Sequence, residues 1–250
     1  MLTAEKFCLI TWGGVTLLDN TGDNISADNP YWGELTGLYW IWKNIKFNDD
    51  DIVGFCHYNK MIDISERGIK KFFKKNPRGW LILKRDCHEL TQTYPPDIAI
   101  NKILSQDFPE YYAEWKKFFT YDNDTSVCLV WFSPCQMFYT DAKSFDEYCE
   151  FLFDVLFRLR SMVGDVDYPS NSKRYCAYIG ESLMTIFLER NHKTYKIVER
   201  CVDSSWLYRF LSRTAHKLKL NINARYYILI RDFFRKHTHY RPATSSWAKA

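Results

Sequence analysis

The sequence predicts an α/β protein: a mostly parallel central sheet flanked by helices, followed by a basic helical appendage. Three observations carry that expectation. The apolar runs Ile52-Val53-Gly54-Phe55-Cys56 and Trp80-Leu81-Ile82-Leu83 have the length and composition of strands buried on both faces. Stretches of helical period lie between such runs, the alternation that builds an α/β sheet. Charge also divides the chain. Residues 200–250 carry eleven Lys and Arg against two acids, and the remainder nets −5. The expected organisation is therefore one domain over residues 1–200 and a basic amphipathic tail over 201–250.

Taken in order, Lys6 to Trp12 reads as a strand closed by Gly13-Gly14. The loop Asp19-Asn20-Thr21-Gly22-Asp23-Asn24 is rich in side chains that bond their own backbone. A helix is expected over 30–46. Pro30 sits in its first turn, Asp28 or Asn29 caps it, and Leu35, Leu38, Tyr39, Trp42 and Ile45 form its apolar face. Strand 52–56 ends in His57-Tyr58-Asn59-Lys60. A basic helix follows over 65–76, then strand 80–83 ending in Lys84-Arg85-Asp86. Residues 96–119 read as helix in two pieces separated at Pro109. Thr125–Phe132 reads as a strand, a strong helix begins at Ser144, and 164–174 is a polar loop. A helix is expected to start near Ile179-Gly180-Glu181 and run to Glu189, with a last strand over 193–198.

Composition narrows the function. No run reaches the roughly 18 apolar residues a membrane span requires. The eight cysteines are scattered, with no Cys-x-x-Cys pair, and several lie in apolar runs suited to buried reduced thiols. No secretory signal peptide is visible, so a cytoplasmic, reducing location is expected. No RNA-binding signature or zinc module accompanies the basic tail, and nucleic acid is not an expected partner.

Several segments together resemble a family of bacterial polysaccharide glycosyltransferases, long described only as a domain of unknown function, that includes galactofuranosyltransferases. They are DNTGDNIS, NPYWGELTGLYWIWKN, GFCHY, FPEYYAEW (108–115), QMFYTDAKSFDEYCEFLF (136–153) and GESLMTIFLE (180–189). The resemblance spans roughly residues 19–200. It implies a GT-A-like domain, a nucleotide-sugar donor, and transfer of a sugar to a growing capsular, O-antigen or exopolysaccharide glycan. Two departures stand out. The family normally reads His-Tyr-Arg-Arg where this chain has His57-Tyr58-Asn59-Lys60, so a planar guanidinium is lost and a second becomes a flexible ammonium. Its members also usually begin with a strand ending near a His-Lys pair. Here 18 residues precede Asp19 and do not match that leader, so the first strand is either shortened or replaced by Lys6–Trp12.

Sugar transfer requires neutralisation of the leaving diphosphate and, for inversion, a base for the acceptor hydroxyl. Under the resemblance, Glu181 is the expected base, with an N-terminal helix acid as its plain alternative. His57 is expected to stabilise the departing phosphate, with metal binding through its imidazole or a structural hydrogen bond as alternatives. Asp19, Thr21, Asp23, Asn24, Tyr58, Lys60, Lys84 and Arg85 are expected to meet the donor and its phosphates. For Asp23 and Asn24 an Asx turn is the alternative, and for Lys84-Arg85 a solvent-facing pair. Glu34, Tyr39, Trp40 and Arg174 are expected near the sugar or acceptor. Asp49-Asp50-Asp51 precedes its strand, whereas ligands in α/β sheets bind beyond C-terminal strand ends, so it reads as a solvated turn. No metal or other cofactor is expected, although a divalent ion stays open. The tail, residues 204–250, suits either an anionic membrane surface carrying a lipid-linked acceptor or packing on the domain. The two altered segments also keep a second reading in view: a catalytically inactive member that binds nucleotide sugar or glycan.

Overall fold

The computed structural model describes residues 8–9, 19–56, 61–83, 85–91, 93–121, 127–168, 172–198 and 200–201. The chain divides into two compact units, Met1–Arg200 and Cys201–Ala250, and the fold below belongs to the first. Its elements are β1 (Cys8–Leu9), α1 (Asn29–Trp32), α2 (Leu35–Asn44), β2 (Ile52–Cys56), β3 (Met61–Ile62), α3 (Glu66–Lys75), β4 (Trp80–Leu83) and β5 (Asp86–Thr91). There follow α4 (Pro95–Asp107), α5 (Pro109–Lys117), β6 (Phe119–Tyr121), β7 (Val127–Phe132), β8 (Phe138–Asp141), α6 (Ala142–Val163), α7 (Tyr175–Arg190) and β9 (Tyr195–Val198).

The central sheet has the order β1-β2-β8-β4-β9. It is mixed, not mostly parallel: β4 and β9 are parallel, while β1–β2, β2–β8 and β4–β8 are antiparallel. The cause lies in the connection. After β4 the chain leaves through β5, α4, α5, β6 and β7, and β5, β7 and β6 form a separate antiparallel sheet. It then re-enters the central sheet at the edge from which β4 departed, because Phe138 at the start of β8 pairs with both Phe55 and Ile82. A strand entered from that edge must run backwards between its neighbours. Thr125–Phe132 therefore contributes its strand, β7, to the second sheet and not to a βαβ crossover.

The sheet has helices on both faces. Trp80 and Ile82 point to one side with Val53, Phe55 and Phe138, against α2, α6 and α7. Leu81 and Leu83 point to the other with Cys56, Met137 and Val198, against Phe73 of α3. All four β4 side chains are buried, which explains a run without polar alternation. Helix α6 carries Phe145, Tyr148, Cys149, Leu152, Val155, Leu156 and Leu159 on its buried stripe. Asp141 caps it, its Oδ1 accepting from the Ser144 amide at 3.0 Å. The expected separation at Pro109 is present between α4 and α5.

Two helix boundaries differ from expectation. Residues 30–46 form two helices, because Gly33 adopts φ +55 and breaks the path after Trp32. Helix α7 begins at Tyr175, earlier than Ile179. Tyr175, Cys176 and Ala177 are buried and extend the apolar surface made by Ile179 and Leu183. Glu181 consequently lies in the second turn of α7, where the helix dipole no longer favours an acid, since that effect fades within the first turn.

Candidate functional site

Strands β2, β4 and β9 run in one direction, so Cys56, Leu83 and Val198 end at a common edge. The segment entering β8 starts there too, and Cys135 and Met137 pack with those three residues. Ser133–Gln136 forms a tight turn at this edge. Glu181 holds it twice: its main-chain carbonyl accepts from the Ser133 amide at 3.3 Å, and its Oε1 accepts from the Cys135 amide at 2.5 Å. The Glu181 side chain remains half-buried while its helix neighbours Gly180 and Ser182 are buried. Behind the turn, the Tyr148 hydroxyl donates to Gln136 Oε1 at 2.6 Å. Burial pushes that hydroxyl well above its ordinary range and keeps it a donor.

The 19–24 loop is fastened to α2. Trp40 Nε1 donates to the Thr21 carbonyl at 2.7 Å, and Tyr39 donates to Asp23 Oδ1 at 3.1 Å. Asn44 accepts from the Asp23 amide and donates to the Asp23 carbonyl. Asn24 makes an Asx turn, its Oδ1 accepting from the Ser26 amide and hydroxyl. Gly22 has φ +59, and a Cβ there would collide with the Asn44 side chain. Burial, then the bond to Asp23, raises the Tyr39 hydroxyl above its ordinary range. Asp19 is buried at 7% exposure, and its Oδ2 has no hydrogen-bond partner among the described residues. A buried carboxylate oxygen without a donor is costly, which sets Asp19 apart from its bonded neighbours.

The residues on either side of Glu34, Gly33 and Leu35, pack on the α7 segment that runs from Arg174 to Glu181. Glu34 immediately precedes α2 and is half-buried. A Cβ on Gly33 would stand 3.5 Å from Ala177 Cβ and 3.7 Å from Arg174 Cζ. Leu35 lies against Gly180 in the same way, its Cδ1 3.2 Å from where a Cβ would stand. The kink between α1 and α2 thus sits on the first two turns of α7. Beside it, the Arg160 guanidinium lies 3.8 Å over the Tyr31 ring and pairs with Asp165 at 2.8 Å.

Arg85 turns away from the edge. It donates to Glu189 at 2.6 Å and to the Tyr195 hydroxyl at 3.2 Å. Burial alone would raise the Glu189 carboxyl, but these bonds and the Arg85 charge outweigh it and hold it below the ordinary carboxylate range. His57, Tyr58, Lys60 and Lys84, and the tail over 204–250, lie outside the described residues. Among the described residues, no group of three or more His, Cys, Asp or Glu is arranged to hold a metal, and no helix is long and apolar enough to cross a membrane. Asp49 and Asp50 are exposed, and with Asp141 and Arg78 they line a cavity of about 380 Å³ at the opposite edge of the sheet. Asp51 accepts from the Asn48 amide.

Sequence reasoning missed Cys135 and Gln136 because their contribution starts from backbone. An amide donor leaves no residue-type signal. Pro134 was the sole local cue to a turn. Arg160 was missed because its partners, Tyr31 and Asp165, are distant or featureless in sequence.

A family model described as a domain of unknown function, DUF4422, matches residues 13–94 and 85–193. Among solved structures, the chain is similar to the apo form of WbbM, a bifunctional glycosyltransferase, at 25% identity and a TM-score of 0.54. That likeness covers 73% of this chain and 38% of WbbM. Among curated proteins, none matches.

Proposed function

The chain belongs to the DUF4422 family, and from that premise we propose that it is a glycosyltransferase acting on a nucleotide-activated sugar. The observation that carries the reading is the likeness to WbbM over 73% of this chain. The Glu181 carboxylate, held at the sheet edge by the Cys135 amide, supplies the group that an inverting transfer needs. In the proposed reaction an acceptor hydroxyl attacks the anomeric carbon, and its proton passes to Glu181. The bond from that carbon to the phosphate oxygen breaks, and its electron pair leaves on the nucleoside diphosphate. A single displacement of this kind inverts the anomeric centre.

In this reading the 19–24 loop, with Asp19, Thr21, Asp23 and Asn24, meets the donor. His57, Tyr58 and Lys60, next in sequence after β2, and Lys84, next after β4, are assigned to the phosphates, whereas Arg85, paired with Glu189 and Tyr195, is withdrawn from that role. Glu34 and Arg174 shape the sugar and acceptor side, while the buried Tyr39 and Trp40, expected there from the sequence, instead hold the donor loop. The acceptor is a capsular, O-antigen or exopolysaccharide glycan, free or lipid-linked, and galactofuranose is one candidate sugar. Residues 204–250 would approach an anionic membrane surface from the cytoplasm. Vesicle co-sedimentation with and without those residues tests that placement, and equal binding contradicts it.

Asn59-Lys60, in place of the arginine pair of the resembling family, favours a second reading: binding of the nucleotide sugar without turnover. Calorimetry with a panel of nucleotide sugars, followed by product detection, separates the two. Binding with transfer supports the first, binding without transfer supports the second, and no binding contradicts both.

A further inference from the structure

We propose that Gln136 is a positioning residue that sets the Cys135 amide and, through it, the aim of the Glu181 carboxylate. The proposal rests on the reading of Glu181 as the base. Its starting point is backbone conformation. Cys135 has φ 64 and ψ 17, and Gln136 has φ 50. Two successive non-glycine residues in the left-handed region are costly, and such conformations persist only where the surroundings over-determine them.

Here the surroundings are explicit. Gln136 is wholly buried and its Oε1 takes the Tyr148 hydroxyl at 2.6 Å. Its Nε2 lies against α7 at Gly180, where an added Cβ would stand 3.0 Å from it. Glycine at 180 therefore admits the Gln136 side chain between α6 and α7. With the side chain fixed there, the peptide before it cannot relax to an ordinary conformation. The Cys135 N–H then points at α7, one residue beyond Gly180, where Glu181 Oε1 receives it.

Successive amides in such turns form concavities that bind anions. In this turn the anion is the carboxylate of the chain itself. A carboxylate on a helix has several rotamers, and one fixed amide selects among them. That selection matters for proton transfer, which requires the base within hydrogen-bond reach of the acceptor hydroxyl.

The test uses the full chain with ¹⁵N-labelled cysteine and the Cys135 amide assigned. In the wild type that amide proton is expected far downfield, as for a short bond to a carboxylate. Gln136→Met keeps the volume and removes the grip on Tyr148. It is expected to move the Cys135 signal upfield and lower kcat by up to about a hundredfold, the scale of a misplacement near 1 Å, with donor KM changed less than about twofold. Should Gln136→Met fail to fold, Tyr148→Phe tests the same grip with a smaller change. The proposal is overturned if the gripping variants leave the amide signal or kcat unchanged. Glu181→Gln judges the other reading separately: near-normal kcat in that variant removes Glu181 as base whatever the Gln136 variants do.

Discussion

The 19–24 loop and the 133–136 turn handle polarity in opposite ways. The loop has many polar side chains, and among them Asp23 and Asn24 bond to the loop itself or to α2. The turn has no charged side chain, yet its backbone holds a carboxylate from another element. A site-like composition thus includes side chains engaged in building the loop, while a plain stretch presents the directional donor. The difference teaches that polar residue types report hydrogen-bonding capacity, and only geometry reports whether that capacity is already taken.

The comparison can be broken by making the same chemical change in both regions. Glu181→Gln is expected to lower kcat by about 10²–10⁴, the usual scale of general-base removal. The melting temperature should hold, because the new amide oxygen still accepts from Cys135. Asp23→Asn should keep kcat within a few-fold, since its amide oxygen still accepts from Tyr39. Steady-state kinetics on both variants checks the contrast, and comparable losses would erase the distinction between the regions.

Smaller effects sharpen it. Asn44→Leu removes a clamp on both polar groups of the Asp23 backbone, and should cost about 1–3 kcal/mol in urea unfolding. Trp40→Phe removes one bond to Thr21 and should cost about 1 kcal/mol by the same measurement. Both should weaken donor binding more than kcat. The smallest effect concerns Arg85. Glu189 is held below its ordinary range, so the stability it contributes is present above the unfolded carboxyl value and is lost as pH falls through the folded one. Arg85→Met should lower the melting temperature at neutral pH, and its difference from the wild type should shrink as pH falls below about 4.5.

The fold was legible where a side-chain period reports burial. The strand runs at 52–56 and 80–83 and the break at Pro109 are of this kind. The direction of β8 was not legible, because it depends on an excursion through a second sheet whose ends return to one edge. In the site, the Asx turn at Asn24 was readable as an alternative from residue type. The packing of the α1–α2 kink on the start of α7 was not, since Gly33, Leu35, Ala177 and Gly180 create it by close approach. The arrangement that fixes Glu181 depends on backbone dihedrals at Cys135 and Gln136, for which neither residue type is a signal.

The most direct measurement pairs donor binding with nucleoside diphosphate release, in the wild type and in Glu181→Gln, using the nucleotide sugar that calorimetry selects and a glycan acceptor. The account predicts equal donor affinity in the two proteins, diphosphate release coupled to glycosylated product in the wild type, and release slowed about a hundredfold or more in Glu181→Gln. Wild-type binding with no transferred sugar, or a folded Glu181→Gln protein that turns over at the wild-type rate, would contradict it.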